Sequence, residues 1–439
     1  MLKTFITAWK IEDIRKKLIF TFLMLLVIRF GCNLPIPGVN TTYFANFFAS
    51  QTGDAFNFFN AMTGGSFESL SVLALSITPY ITSSIIIQLL TIAIPKLEEM
   101  QREGEDGRKK IVEYTRYLTV ILALVEAIAM TIGFGNQGLL TDGLTFMSAI
   151  VAILVMVAGS AFLMWIGERI TENGVGNGIS MVLLFNIISS LPADIRTLGE
   201  RFLTGKSVAV KVVVIAIIVV LVVAMVAFVV VLQDAERRIP VQYSAKTVGR
   251  KMLGGNTSAI PLKVNTAGVI PVIFASSLMS FPVVIAQFFS IDYSTFGGKI
   301  IACLSSSNWL RPGMWWASIG LVIYIVLIIL FAYFYTSITF NPLEVANNMK
   351  KQGGFIPGIR PGKPTSDYLN KILKYIIFIG ACGLLIVALI PIILSGIFSV
   401  SRLSFLGTSL IIIVGVILET MKEIESQMLV RNYKGFLND

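Results

Sequence analysis

The chain of 439 residues contains no histidine and only three cysteines. Without histidine there is no Ser-His triad, no His-ligated zinc and no haem held by an imidazole. Cys32, Cys303 and Cys382 stand far apart with no CxxC pair, so neither a disulfide framework nor a metal site is indicated. They read as small apolar fillers. Charge is scarce too: Asp, Glu, Lys and Arg make up 14% of the chain, well below the roughly 25% of a soluble domain. No GxxxxGK[ST] run is present to cradle a phosphate. The stretch Gly174-Val175-Gly176-Asn177-Gly178 opens an apolar helix rather than following a strand, so it reads as a close-packed helix entry. No catalytic constellation remains, and no enzyme activity, cofactor or metal is expected.

Hydrophobic residues make up 55% of the chain, and the mean hydropathy is +0.81. This is the composition of a polytopic membrane protein. Ten runs approach the ~20 residues that span hydrocarbon: 18–34, 72–94, 114–134, 146–166, 175–191, 209–232, 264–288, 315–336, 371–394 and 406–421. If the N-terminus is cytosolic, the loops on that side carry 24 Lys and Arg against six on the other. That bias places both termini in the cytosol and accounts for much of the net charge of +10. The basic start is followed by an apolar run ending at Asn33-Leu34-Pro35 with no small-residue cleavage site, so no removable signal peptide is expected.

Ten runs divide into five and five, residues 1–191 and 192–439. An odd number per half inverts the second half relative to the first. The second run of each half is interrupted. In one, Gly64-Gly65, Glu68 and Pro79 break GGSFESLSVLALSITPYITSSIIIQLLTIAI; in the other, Gly268 and Pro271 break PLKVNTAGVIPVIFASSL. Non-helical backbone at membrane depth survives only where protein or a cavity satisfies it. Interrupted segments at matching positions in two halves point to a functional pathway. Beside the breaks stand Ile77, Ile81 and Ile273, able to form a constriction that excludes water. Ser83, Ser84, Gln88 and Asn265 supply polar helix contacts of ~1 kcal/mol each, weak enough to part.

Ion-coupled transport requires carboxylates, histidine or charge pairs inside the bundle. Charged residues within the runs include Arg29, Arg116, Glu126 and Lys211. Arg116 and Lys211 lie near run ends and can snorkel, whereas Glu126 lies deep and is expected to have a local partner. An inverted-repeat secondary transporter is the alternative function, discriminated by an ion-binding cluster that Glu126 alone does not make. An intramembrane protease would need a Ser-His pair or two aspartates, and a mere scaffold would not need broken helices.

Two loops, 233–263 and 337–370, are longer than connections need to be. The first holds Arg237, Arg238, Lys246, Arg250 and Lys251. The second presents Arg360 within Pro357-Gly358-Ile359-Arg360-Pro361-Gly362. Basic residues on shaped turns suit docking to an acidic or RNA-bearing partner.

The runs SITPYITSSIIIQLL, EGEDGRKKIVEYTRY, GERITENGVGNGIS, RRIPVQY, PLKVNTAGVIPVIFASSL, FNPLEVANNMKKQGGFIPGIRPG and GTSLIIIVGVILETMKEIESQ, in this order, resemble the SecY family of channel-forming translocase subunits. The resemblance covers essentially the whole chain. It implies an all-α polytopic fold, ten transmembrane helices in two inverted five-helix halves around an hourglass pore, in a bacterial inner membrane. It implies a pore ring of Ile77, Ile81, Ile179, Leu183, Ile273 and Ile412, and a plug at about 58–72 with Gly64, Gly65, Phe67, Glu68 and Val72. It implies a lateral gate between helices 73–94 and 264–288, with Ser83, Ser84, Gln88, Thr115, Asn265 and Ser276. Arg360 with the basic residues of 233–263 would serve the SecA motor and the ribosome. SecE-like and SecG-like small subunits, signal sequences, nascent polypeptides and membrane lipid are the other implied partners, with no DNA and no cofactor. Two departures stand out. Ser76 occupies a position where the family often has glycine, which stiffens the link from plug to gate. Ser244-Ala245-Lys246 carries fewer basic residues than the family pattern, which lowers the expected strength of docking.

Overall fold

A run of about 20 apolar residues crosses hydrocarbon only if its own backbone groups pair within it, which makes each run a helix. The computed structural model describes residues 2–40, 60, 62–135, 140, 143, 145–203, 207–243, 246–248, 251–253, 257–288, 295–310, 314–398 and 404–435. Among them, every one of the ten runs contributes a helix. The first half contributes α2 (Glu12–Cys32), α3 (Thr78–Ala93), α5 (Glu105–Gly135), α6 (Phe146–Asn173) and α7 (Gly178–Leu203). The second contributes α8 (Val208–Asp234), α9 (Ile270–Phe288), α11 (Ile319–Thr339), α13 (Lys363–Phe398) and α14 (Ser404–Gly435). Shorter helices are α1 (Leu2–Lys10), α4 (Pro95–Arg102), α10 (Phe296–Leu304) and α12 (Pro342–Lys351). Spans within α5, α6, α8, α11 and α13 are by themselves long and apolar enough to cross a membrane, and α3 joins α4 through a 106° bend.

The prolines sit differently from the sequence reading. Pro79 and Pro271 do not interrupt helices; each lies in the first turn of one, at the start of α3 and α9. There the missing N–H has no intrahelical acceptor to lose, and the fixed φ favours the first turn. The runs 72–94 and 264–288 are therefore each a non-helical stretch followed by a shorter helix. Conversely, α7 continues through Pro192 to Leu203, and α13 through Pro391 to Phe398. The restriction before proline marks a probable helix end, but a membrane helix tolerates the break when neighbours satisfy the freed groups.

The membrane part is helical; the long loops add β-structure that a reading of turns did not anticipate. β1 (Glu236–Tyr243) is the centre of a three-stranded antiparallel sheet with β4 (Thr257–Lys263) and β5 (Gly354–Phe355). β2 (Lys246–Val248) and β3 (Lys251–Leu253) form a separate hairpin.

Within the first half, α5 packs on α3 and α6, and α6 packs on α2 and α7. Within the second, α11 packs on α9 and α13, and α14 packs on α8 and α13. The halves meet where α9 reaches α5 and where α7 reaches α8 and α14. Glycine makes the tightest approach possible at the α6–α7 turn: a Cβ on Gly178 would collide with the Gly167 carbonyl and the Ile170 side chain. Gly176, at φ +80, completes this turn. The Gly174–Gly178 stretch is the close-packed helix entry that its sequence suggested.

Gly178→Ala should therefore lower the thermal midpoint of the detergent-solubilised protein, with overpacking costing about 1–3 kcal/mol. Gly297→Ala, at a helical position with nothing within 4 Å of its Cβ, should leave the midpoint unchanged or raise it. Equal midpoints for the two variants would contradict the packing.

Candidate pore, gate and docking surface

Four helices bring the six aliphatic residues into one cluster. Ile77 stands at the N-cap of α3 and Ile81 one turn on; Ile179 and Leu183 come from α7, Ile273 from α9 and Ile412 from α14. Ile77, Leu183, Ile273 and Ile412 are buried in a single apolar cluster, and Ile81 and Ile179 pack against it. Ile77 is 1% exposed and Ile412 2%, so no solvent path runs beside them. Gly167 on α6 lets Ile77 and Ile179 approach: its built Cβ would lie 3.6 Å and 3.3 Å from their side chains. The cluster joins both halves at the N-terminal ends of the two helices that start at a break.

The proposed gate residues lie on α3, α5 and α9 or just before α9. Their hydroxyls are spent within their own helices. Ser83 Oγ donates to Pro79 O at 2.7 Å, Thr115 Oγ1 to Ile111 O at 2.9 Å, and Ser276 Oγ to Val272 O at 2.7 Å. Gln88 Nε2 donates to Ser84 Oγ at 3.4 Å, also within α3. The expected polar contacts between helices are not among these bonds. Across the seam, Ile85 of α3 packs against the second half's core, and α5 lies directly against α9. Asn265 is buried, and its Nδ2 has no partner among the described residues; nor has the buried Nε2 of Gln233, on α8.

Residues 58, 59 and 61 of the expected plug lie outside the described residues. From Met62 to Ile77 the chain turns repeatedly without forming a long helix. Val72 N donates to Leu34 O at 2.8 Å and Ile36 N to Leu70 O at 3.1 Å, tying the segment to the chain that leaves α2. Phe67 and Leu70 are buried against α5 and α6 with Met130, Phe134 and Met156. Glu68 is half-buried and accepts from Asn60 Nδ2 at 2.8 Å. Gly64 is at φ +67 and Gly65 at φ +87, backbone that favours glycine; a Cβ on Gly64 would also press on Asn186. Val72 is half-buried, and its carbonyl sits where a side chain on Gly159 of α6 would otherwise be.

The two long loops form one body. β5 of the second pairs with β1 of the first (Gln242↔Phe355, Tyr243↔Gly354). Ile239, Val241 and Leu262 share a core with Met349, Ile356 and Leu369. Asn341 caps α12, its Oδ1 accepting from Leu343 N at 3.1 Å and Glu344 N at 3.4 Å. The Arg360 turn is set by Gly358 (φ +81) and Gly362 (φ +105), and Thr365 Oγ1 holds the Arg360 carbonyl at 2.8 Å. Arg360 is exposed, with no ion-pair partner among the described residues. Arg237 and Arg238 are also exposed on β1, and Arg238 pairs with Glu236 at 2.7 Å. Lys246 and Lys251 stand on the β2–β3 hairpin, while Arg250 lies outside the described residues.

Some residues carry more than their sequence context showed. Arg116 does not simply snorkel; its Nε meets Glu168 of α6 at 2.8 Å. Glu126 has no hydrogen-bond or ion-pair partner among the described residues, contrary to the expectation of a local one. Arg29 Nη1 donates to Gly64 O at 2.9 Å, and Asn186 of α7 donates to Met62 O and Ser76 Oγ. Asn186 is a lone amide in an apolar stretch of α7, and that was its one signal in the sequence.

Comparison with known proteins follows this geometry. The SecY family model matches residues 71–421. The chain is 41% identical over 443 residues to the protein translocase subunit SecY of Halalkalibacterium halodurans, covering all of both chains. It is 41% identical over 447 residues to that of Bacillus subtilis, again covering both entirely. Among solved structures it is similar to a protein-conducting channel, with a TM-score of 0.62 and 19% identity over 94% of this chain and 93% of the other. It is also similar to Sec61 in a canine ribosome–channel complex from the endoplasmic reticulum, with a TM-score of 0.58 and 18% identity over 94% and 93%. These relatives give no support to a secondary transporter. With most of its length matched by the family model and its full length aligned to these relatives, the chain belongs to the SecY family.

Proposed function

We propose that the chain is the channel through which unfolded secretory polypeptides cross a bacterial inner membrane and from which transmembrane segments leave sideways into lipid. The observation that carries this reading is the convergence of six aliphatic side chains, from four helices and both halves, at the breaks of the two interrupted segments. A pathway that must pass every kind of side chain cannot hold specific binding groups. An aliphatic constriction offers weak, non-directional contacts to a moving chain, and it excludes water and ions by dewetting when empty. The segment 62–72 packs beside this constriction as the plug.

The seam between α3 with α5 on one side and α9 on the other acts as the lateral gate. Its contacts are largely aliphatic, so lipid can replace them at little cost. A segment of ~20 apolar residues partitions through the open seam into lipid, while central charges, at about 2.5–3.5 kcal/mol each, keep a segment in the channel. The boundary between the halves falls between α7 and α8, a little beyond residue 191.

The sheet, α12 and the Arg360 turn form one rigid basic platform. On this reading they dock a SecA-type motor or a ribosome, the charge being suited to acidic protein or RNA. Both termini lie with this platform in the cytosol, on the side that the Lys and Arg bias marks. SecE-like and SecG-like small subunits complete the complex.

The double variant Ile77→Asn with Ile273→Asn should leak ions in planar bilayers and export precursors with defective signal sequences. Wild-type conductance together with wild-type stringency would remove the ring assignment. Arg360→Glu should cut motor-driven export in membrane vesicles by tenfold or more while the protein accumulates normally; unchanged export would remove the docking role of the turn.

A further inference from the structure

Ser76 has the backbone of a glycine without being one. Its φ is +51, a region that L side chains rarely adopt. It is wholly buried, two residues before α3, at the joint between the plug segment and the gate helix. What holds it there is polar and specific. Ser76 Oγ accepts a hydrogen bond from Asn186 Nδ2 at 3.1 Å, and Ser76 O accepts one from Ser160 Oγ of α6 at 3.2 Å.

The same Asn186 Nδ2 donates to Met62 O at 3.0 Å. One amide on α7 therefore grips both ends of the segment 62–76. Between those ends, Gly64 lies against the Asn186 side chain, and the Gly64 carbonyl accepts from Arg29 Nη1 of α2 at 2.9 Å. Asn186 is 2% exposed with the segment in place. When the plug segment moves, these bonds break together, and each group must find another partner. When it returns, the same groups select one position for it.

We infer that Asn186 and Ser76 form a clasp that holds the plug segment closed and thereby sets how good a signal sequence must be to open the channel. Asn186 acts as a positioning residue and need not touch the translocating chain. The inference rests on reading residues 62–72 as the plug. It also accounts for a non-glycine residue at the joint: the hydroxyl gains a partner that glycine would not have, and that bond opposes the unfavourable backbone.

The test uses the full-length chain, assembled with its small subunits, as the sole channel of its kind in the cell. The readout is export of a precursor with a defective signal sequence, expressed as a ratio to export of the intact precursor. Asn186→Ala and Ser76→Ala should each raise this ratio about tenfold, the effect of losing ~1.4 kcal/mol of closed-state preference. Asn186→Ala introduced into the Ser76→Ala chain should add less than it does alone, because the two share a bond. Deletion of residues 63–70 should raise the ratio at least as far. A raised ratio on deletion with wild-type ratios for both point variants overturns the clasp and leaves the plug reading standing. An unchanged ratio on deletion overturns both. Full additivity of the two point variants also overturns the clasp. Should Asn186→Ala fail to accumulate, Ser76→Ala decides alone, since it removes only the hydroxyl, leaves the backbone as it was and keeps the carbonyl for Ser160.

Discussion

Backbone that leaves a helix at membrane depth must find a partner for every polar group it frees, and the architecture at the centre of this chain follows from that constraint. Residues 63–77 are non-helical, and the groups of the segment from Met62 on are met from four directions. Leu34 and Ile36 meet them with backbone bonds, Arg29 with a guanidinium, Ser160 with a hydroxyl and Asn186 with an amide. The approach needs room, which Gly64 and Gly159 provide by lacking a side chain. The result is a segment held by specific polar bonds in a bundle otherwise held by apolar packing. Such a segment has one well-defined seat, and its bonds are few enough to be broken together.

The aliphatic cluster complements it. Ile77 belongs both to the joint of the polar segment and to the six-residue constriction. The seam between α5 and α9 is different again, with its hydroxyls committed to their own helices. Three kinds of contact thus meet at the centre of the chain: directional bonds around residues 62–76, an aliphatic cluster beside them, and helix packing between α5 and α9. The basic platform stands apart from all three, with its own core and its own capped helix.

Much of this was legible before the structure. The ten helices follow from run length, and the aliphatic residues beside the breaks from the prolines and glycines that mark them. The meaning of Pro79 and Pro271 was less clear, because a proline in an apolar run can kink a helix or begin one; only the partners of the preceding residues decide. The continuation of α7 through Pro192 was hidden for the same reason. The sheet was hidden because Glu236–Tyr243 pairs with two segments distant in sequence, one of them only two residues long. Asn186 and Arg29 showed as isolated polar residues, yet their partners are backbone carbonyls, which no sequence pattern reveals.

The central claim is that a polypeptide passes through the six-residue aliphatic cluster. It is tested most directly by placing a photo-reactive residue at each of Ile77, Ile81, Ile179, Leu183, Ile273 and Ile412, and, as controls, at the exposed Ile217 and Val220 of α8. A secretory chain is then arrested halfway across and the sample is illuminated. The account predicts capture of the arrested chain from the six positions and none from the two on α8. Capture from α8 with none from the six would place the pathway elsewhere and contradict it.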